Sequence, residues 1–237
     1  MATPEYQSVE SGIVTNWSKP PVRFPWVTLT VILICTGLKL LHSVMTPLAQ
    51  NAMLELVGVL PSLLAPLFEQ PLNYWADYQL FTLISALFIH TSWVHLLGNI
   101  VYLWVFGMPL ERRLGAFGML IVFVLCGSLA NLFVVLRLPE LEAPIVGASG
   151  AVSAVVGAYL GLFPTRRIGM LLPLGLYLQF ARIPAVIVIG SWFTLQLVFT
   201  VLGPINELVA WWTHMAGLTL GLIFALLVRA MAQIKLR

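Results

Sequence analysis

The chain has 237 residues, of which 60% are hydrophobic and only 9% are charged. Its mean hydropathy of +0.97 excludes an ordinary soluble domain and predicts a protein that crosses a membrane several times. The formal net charge of +3 says little about partners, because in a membrane protein the placement of basic residues matters more than their sum. We therefore expect no nucleic-acid partner. Cys35 and Cys126 lie in apolar segments, which favours packing roles over a disulfide.

The apolar runs predict an all-α, polytopic membrane protein with six transmembrane helices. Residues 1–23 are polar and form a short N-terminal tail in this interpretation, and the apolar run that follows, 24–41, is the first span. Residues 42–80 contain four prolines and no clean spanning run. We expect this segment to be an outer loop with short pieces lying at the membrane interface.

The later spans complete a membrane domain predicted over residues 24–231. They are expected at residues 83–110, 117–136, 147–163, 183–202 and 208–231. The span at 147–163 would be only about 25 Å long against about 30 Å of hydrocarbon, so its first residues can lie below the membrane surface. The apolar piece 168–180 contains Pro173 and, at 13 residues, is too short to span, so we expect an interfacial hairpin over 164–182 and a second tail at 232–237.

The basic residues orient this topology. Six spans place both termini on one side, and ten of the twelve lysines and arginines fall on that side, leaving Lys39 and Arg137 on the other. Because cytoplasmic segments carry the excess of basic residues, we expect both tails and the 164–182 hairpin to be cytoplasmic.

A serine stands at the start of the fourth span, in a stretch rich in small residues, I-V-G-A-S-G-A-V-S-A-V-V-G-A-Y-L-G-L-F from Ile145 to Phe163. Ser149 has two interpretations. It can be a small residue that lets membrane helices pack closely. It can also be a nucleophile at a helix N-terminus, where unpaired N–H groups stabilise an oxyanion. The choice depends on whether the chain supplies a base.

A candidate base lies in the sixth span. His214 follows A-W-W-T and precedes M-A-G-L-T-L-G, about seven residues into the span, and an ionisable residue there favours a functional role over a purely structural hydrogen bond. Gly217 and Gly221 share its helical face and would allow a close neighbour. The fourth span offers a matching small-residue face formed by Gly150, Ala154, Gly157 and Gly161. These two faces could bring Ser149 and His214 within hydrogen-bond reach.

The second span contributes three further polar residues, in F-I-H-T-S-W-V-H-L-L-G-N. His95 and Asn99 are four residues apart, so they share a helical face and could both donate to an oxyanion. A metal site is disfavoured, because His90 and His95 would point about 140° apart on a helix without a nearby carboxylate or cysteine. Asp77 is the only aspartate, which makes a Ser-His-Asp triad improbable and leaves a Ser-His dyad.

These motifs together resemble a rhomboid intramembrane serine protease over about residues 75–230. The resemblance rests on G-A-S-G at 147–150, H-M-A-G-L-T-L-G at 214–221, H-x-x-x-x-H-x-x-x-N at 90–99 and E-R-R-L-G at 111–115.

The resemblance implies a role for each residue, with no cofactor and no metal. Ser149 would be the nucleophile and His214 its general base. His95, Asn99 and the backbone N–H of Ser149 would form the oxyanion hole. Structural roles near the site would fall to His90, Gly147, Gly150, Gly217 and Gly221. Substrates would be single-pass membrane proteins in a lipid bilayer, and the expected location is a bacterial inner membrane.

Two positions depart from a common pattern of this family. Phe81 and Thr82 stand where a Trp-Arg pair often anchors the first loop. Ser153 stands where an aromatic ring often packs against the histidine, so that ring must come from elsewhere. Two other functions compete with proteolysis: an inactive rhomboid-like protein that binds membrane clients, and a small transporter. The complete dyad argues against the first, and the scarcity of intramembrane charge argues against the second.

Overall fold

The computed structural model describes residues 23–69, 78–174, 177–202 and 205–234. The predicted tail 1–23 lies outside this part of the chain except for Arg23. Of the predicted tail 232–237, residues 235–237 also lie outside it, and the rest continues the last helix, which therefore ends later than predicted.

The chain is built from ten α-helices and one β-hairpin within the described residues. The helices are α1 (Trp26–Val44), α2 (Pro47–Val57), α3 (Pro61–Leu64), α4 (Gln79–Ser85), α5 (Trp93–Tyr102), α6 (Met108–Leu120), α7 (Cys126–Arg137), α8 (Ser149–Leu162), α9 (Ala185–Leu202) and α10 (Ile205–Ile234). The strands are β1 (Arg167–Leu174) and β2 (Tyr177–Pro184). Short 3₁₀ segments follow α3 and α4, and π-helical turns join α5 to α6 and α6 to α7.

The helical multi-pass membrane architecture predicted from composition is confirmed. Three helical runs in the described residues are long and apolar enough to cross a membrane: Trp26–Val44, Trp93–Arg137 and Trp211–Ala232. Shorter apolar helices include Ser149–Leu162 and Ala185–Val198. The number of six spans stays a prediction. Beside its helices the protein has two antiparallel strands, in which residues 167–174 pair with residues 177–184 and Arg167 lies opposite Pro184.

The prediction that the second span begins near residue 83 is wrong. Residues 79–88 form α4 and a 3₁₀ turn, the chain is non-helical from 89 to 92, and a new helix begins at Trp93. Ser92 caps that helix, since its side chain accepts a hydrogen bond from the backbone N–H of His95 at 3.2 Å. His90 therefore precedes the helix that carries His95, and the helical angle used above to separate their rings does not apply.

The long run Trp93–Arg137 turns back on itself at Gly115. This glycine has φ of +80°, a conformation that residues with a side chain rarely adopt. A Cβ at Gly107 would lie 3.4 Å from the Sδ-bound methyl carbon of Met119, although twelve residues of straight helix would separate the two by about 18 Å. The run therefore consists of two antiparallel helices, as the separate second and third spans require.

Glu111 ties the start of α1 to this reversal. Its buried carboxylate accepts hydrogen bonds from the backbone N–H groups of Val27 at 2.8 Å and Thr28 at 2.7 Å, and from the Thr28 hydroxyl at 2.7 Å. The first N–H groups of a helix have no partner within the helix, so the carboxylate supplies both acceptors and a favourable charge at the positive end of the dipole.

Helix α8 lies at the centre of the fold. All residues from Gly150 to Tyr159 are buried, and α10 is its principal neighbour. The two helices approach through small residues: a Cβ at Gly157 would overlap the backbone of Leu218, and one at Gly221 would overlap the backbone of Ala154. Such contacts allow backbones to approach more closely than larger side chains permit.

Candidate active site

One cavity of about 620 Å³ opens at the N-terminal end of α8. Five of the residues singled out from the sequence line it: His95, Asn99, Gly147, Ser149 and His214. The rest of the lining comes from other residues of α5 and the loop before it, from the segment 141–147 that precedes α8, from Trp192 and Gln196 of α9, and from Asn131, Val152 and Thr213. The fold thus gathers residues from three separated segments of the chain at one site.

Ser149 is the first residue of α8, so backbone N–H groups that lack helical partners lie beside its hydroxyl. Gly147 sets the entry to the helix with φ of +124°. A Cβ there would overlap the His95 ring, whose Nε2 would lie only 2.9 Å away. Glycine is therefore required at 147 both by the backbone conformation and by the imidazole. The carbonyl of Ser149 accepts a hydrogen bond from the Ser153 hydroxyl at 2.8 Å.

The contact between α8 and α10 brings His214 to the same cavity. A Cβ at Gly217 would overlap the carbonyl of Gly150, and one at Gly150 would lie 2.5 Å from the Thr213 methyl group. The immediate neighbours of Ser149 and His214 are therefore in contact. His214 Nε2 is buried and has no hydrogen-bond partner among the described residues. Ser149 and His214 thus line one cavity.

The other nitrogen of His214 faces α9. Its Nδ1 is paired with Oε1 of Gln196, and the ring of Trp192 lies 5.6 Å from the imidazole between centroids, at an interplanar angle of 43°. The sequence analysis missed both residues. The signal that could have found them is the pair W-x-x-x-Q inside an apolar span, which places an amide and a large ring on one helical face.

Asn99, which lines the cavity, is connected to His90. Asn99 Nδ2 lies 3.0 Å from His90 Nε2, which also accepts from the backbone N–H of Ala148 at 3.4 Å. A backbone N–H group can only donate, so His90 Nε2 is an acceptor. Asn99 therefore donates to it as well. An amide carries two N–H groups, so one remains for the cavity. His95 packs beside this pair, with its ring centroid 5.0 Å from that of His90.

His90 is a neutral acceptor in this arrangement. Burial, which leaves the charged imidazolium poorly solvated, and to a smaller extent the neighbouring His95 lower its pKa to about 4. Its unprotonated Nε2 can therefore keep both hydrogen bonds at neutral pH. No group of three or more metal-ligating side chains occurs in the described ranges.

Comparison with known sequences identifies the family. The family model described as the Rhomboid domain matches residues 77–231. The chain belongs to the rhomboid family. Its recognition from motifs is thereby confirmed, and the chain is an integral, multi-pass rhomboid membrane protein.

Several rhomboid proteins are similar to this chain. The rhomboid protease GlpG of Serratia proteamaculans is 30% identical over 202 residues, covering 79% of this chain and 65% of that protein. Rhomboid-like protein 11, chloroplastic, of Arabidopsis thaliana is 41% identical over 80 residues, or 34% of this chain and 27% of its own length. Rhomboid protein 1, mitochondrial, of Saccharomyces cerevisiae is 35% identical over 91 residues, or 37% and 26%. The chain thus covers less than two thirds of each relative.

The first departure from the common rhomboid pattern concerns the anchoring of the loop before α5. Thr82 donates only to the nearby carbonyl of Gln79, at 2.6 Å. The loop is held instead by α1: the buried ammonium of Lys39 donates to the carbonyl of Thr91 at 2.7 Å and lies 3.4 Å from His42 Nδ1. Lys39 therefore fixes the segment that leads from His90 into α5.

The second departure concerns the ring beside the histidine. Ser153 is buried and lies close to α10. A Cβ added at Gly217 of that helix would lie 3.2 Å from the Cβ of Ser153. A ring at position 153 would have to displace α10 from this contact. Trp192 of α9 supplies the aromatic surface against His214 instead.

Proposed function

We propose that this rhomboid is an intramembrane serine endopeptidase that hydrolyses peptide bonds in or next to transmembrane segments through a Ser149-His214 dyad. The observation that carries the proposal is the pairing of a serine at a helix N-terminus with a buried, unpartnered imidazole nitrogen in one cavity. A buried acceptor without a partner is costly. The Ser149 hydroxyl would satisfy it by donating to His214 Nε2 when a substrate is bound.

In this mechanism His214 Nε2 accepts the proton of the Ser149 hydroxyl as its oxygen attacks the substrate carbonyl. The bond between carbonyl carbon and nitrogen then breaks, and His214 returns the proton to the leaving amine. The acyl group stays on Ser149 until a water molecule, deprotonated by His214, attacks it.

The oxyanion would be stabilised from two sides. The backbone N–H of Ser149 belongs to the open end of α8, and the free N–H of Asn99 and the imidazole of His95 line the opposite wall of the cavity. Donors that are already oriented stabilise charge in the transition state without reorganising. A cavity of about 620 Å³ holds a short extended peptide together with the water needed for deacylation, since liquid water occupies about 30 Å³ per molecule.

The substrates we propose are single-pass membrane proteins. A peptide bond inside a helix cannot be attacked until the helix unwinds, so residues that weaken helices should favour cleavage near the outer end of the segment. A substrate with Gly and Ala near that end should be cleaved faster than one with a polyleucine segment. Equal cleavage rates for the two segments in one reporter protein would reject this preference.

The topology we propose has both termini in the cytoplasm and, in a bacterial cell, places the protein in the inner membrane. Its support is the distribution of the basic residues, ten of twelve on the side of the termini. Reporter fusions at the two ends test the orientation, and activity of a periplasmic reporter at either terminus would refute it.

A fluorophosphonate probe, which reacts with activated serines, tests the proposed activity directly. We expect it to label the wild type in detergent and to leave Ser149→Ala unlabelled. Ser128→Ala is the matched control, because Ser128 lies outside the cavity lining and its hydroxyl has no hydrogen-bond partner among the described residues. A folded wild type that remains unlabelled would support the alternative function, an inactive rhomboid-like protein that binds membrane clients.

A further inference from the structure

We propose that Gln196 and Trp192 of α9 position the general base, so that the working site is a Ser149-His214 pair held by a third polar side chain. This inference rests on the proposed function, because it assigns the residues that orient its base. Gln196 would act through His214 rather than on the substrate, and it is therefore a positioning residue.

The hydrogen bond between Gln196 and His214 fixes the tautomer of the imidazole. Oε1 of an amide can only accept, so Nδ1 of His214 must carry the hydrogen. Nε2 is then the unprotonated nitrogen, and it is the one that is buried without a partner beside the cavity. The opposite tautomer would place a hydrogen on Nε2 and leave the ring unable to accept a proton from Ser149.

The same hydrogen bond favours the charged form of the base during reaction. When His214 takes the serine proton it becomes an imidazolium, and Nδ1–H is then a charged donor to Gln196. Hydrogen bonds with a charged partner are shorter and stronger than neutral ones. Gln196 therefore interacts more strongly with the transition state than with the resting enzyme, and such interactions raise kcat rather than lower KM.

Trp192 restricts the ring from the same helix. It lies four residues before Gln196, so the two side chains emerge from one face of α9. The centroid of its ring lies 5.6 Å from that of His214 and 5.5 Å from that of Tyr102 in α5. Rotation of the imidazole about its Cα–Cβ bond would break the Gln196 contact and collide with this ring. Position 153 holds no aromatic ring, and α9 provides one instead through Trp192. The same helix provides the hydrogen-bond acceptor Gln196.

The decisive variants separate the acceptor from the bulk of the side chain. Gln196→Met keeps the length and removes the acceptor, and we expect kcat to fall about 10-fold to 100-fold at nearly constant KM, in line with the loss of a hydrogen bond to a charged group. Gln196→Glu retains an acceptor oxygen for His214 Nδ1–H, so we expect this variant to keep most of the wild-type activity. Thr194→Val is the matched control, because this exposed residue of the same helix donates to the carbonyl of Gly190.

The measurements are kcat and KM on a transmembrane reporter substrate, the rate of fluorophosphonate labelling, and the melting temperature of each variant. If Gln196→Met fails to fold, Gln196→Asn, which withdraws the acceptor by one methylene, serves in its place with the same expectation. Wild-type kcat in the folded Met or Asn variant would overturn the inference. So would a Glu variant that is folded but as slow as Gln196→Met, because Gln196 would then not act as an acceptor.

Ser149→Ala, assayed beside these variants, keeps the two proposals distinguishable. Activity that persists in Ser149→Ala refutes the proposed function, whatever Gln196 does. Loss of activity in Ser149→Ala together with full activity in Gln196→Met refutes only the role of Gln196.

Discussion

The double role of Asn99 predicts that its removal will affect rate much more than stability. Asn99→Ala deletes one hydrogen bond to His90, 3.0 Å long and buried, and the N–H group that we assign to the oxyanion. The first loss costs about 0.5–1.5 kcal/mol of stability, because the net value of a neutral hydrogen bond is small. The second should cost about 10²–10³ in kcat, or roughly 3–4 kcal/mol of barrier, by comparison with other oxyanion donors.

His90→Ala separates these two contributions. It removes the hydrogen bond to Asn99 but leaves both amide N–H groups in place. It should lower the melting temperature more than Asn99→Ala does, because it also removes a buried ring and the acceptor of the Ala148 N–H group. Its effect on kcat should be smaller, because Asn99 can still donate although it is no longer held. In the double variant the rate should resemble that of Asn99→Ala alone, since the tie has no function once Asn99 is gone.

The assay is cleavage of a transmembrane reporter in detergent, with kcat and KM measured below the melting temperature of every variant. The stability loss predicted for Asn99→Ala shifts the melting temperature by about 1–6 °C in a chain of this size. Normal kcat in folded Asn99→Ala would refute the reasoning. Equal losses of rate in Asn99→Ala and His90→Ala would show that Asn99 acts only by holding the loop.

Two further substitutions test how the fold supports the site. Glu111→Gln replaces one acceptor oxygen by a donor that faces the N–H groups at the start of α1, and it should cost about 2–4 kcal/mol of stability. Its control is Arg112→Gln at the exposed neighbouring position, which should melt like the wild type. Equal melting temperatures for the two variants would contradict the capping role of Glu111. Gly217→Ala places a methyl group against the carbonyl of Gly150 and should cost about 1–3 kcal/mol and reduce kcat by separating α8 from α10. Gly37→Ala, with nothing within 4 Å of the new methyl group, is its control, and a Gly217→Ala protein with normal kcat and melting would show that the helices tolerate the separation.

The residues that sequence could identify are those whose chemistry is unusual for their surroundings. Ser149 and His214 stand out because they lie among small residues in apolar segments, and the periodic glycines indicate which faces approach. Gln196 did not stand out because a single amide in a span usually packs without function. Its importance depends on the rotation of α9 about its axis, which tertiary contacts set and no local pattern encodes.

The errors of the sequence analysis have similar causes. Hydropathy placed the start of the second span near residue 83 because residues 79–89 are nearly as apolar as a spanning helix. The break at residues 89–92 depends on the Ser92 cap and on the contact between Lys39 and Thr91, of which the second joins residues 52 positions apart. Likewise, length and charges predict an interfacial hairpin over residues 164–182 but not its secondary structure. That residues 167–174 and 177–184 are β-strands depends on the hydrogen bonds between them.

The packing of α10 against α8 also determines when the site can exist during synthesis. Ser149 leaves the ribosome well before His214, so until α10 enters the membrane one side of α8 is uncovered and Ser149 lacks the base that we propose for it. A nascent chain halted before residue 205 should therefore be inert toward the fluorophosphonate probe, and labelling of such a chain would contradict this order. Coupling the last helix to the final step of assembly in this way would protect neighbouring nascent membrane proteins from premature cleavage.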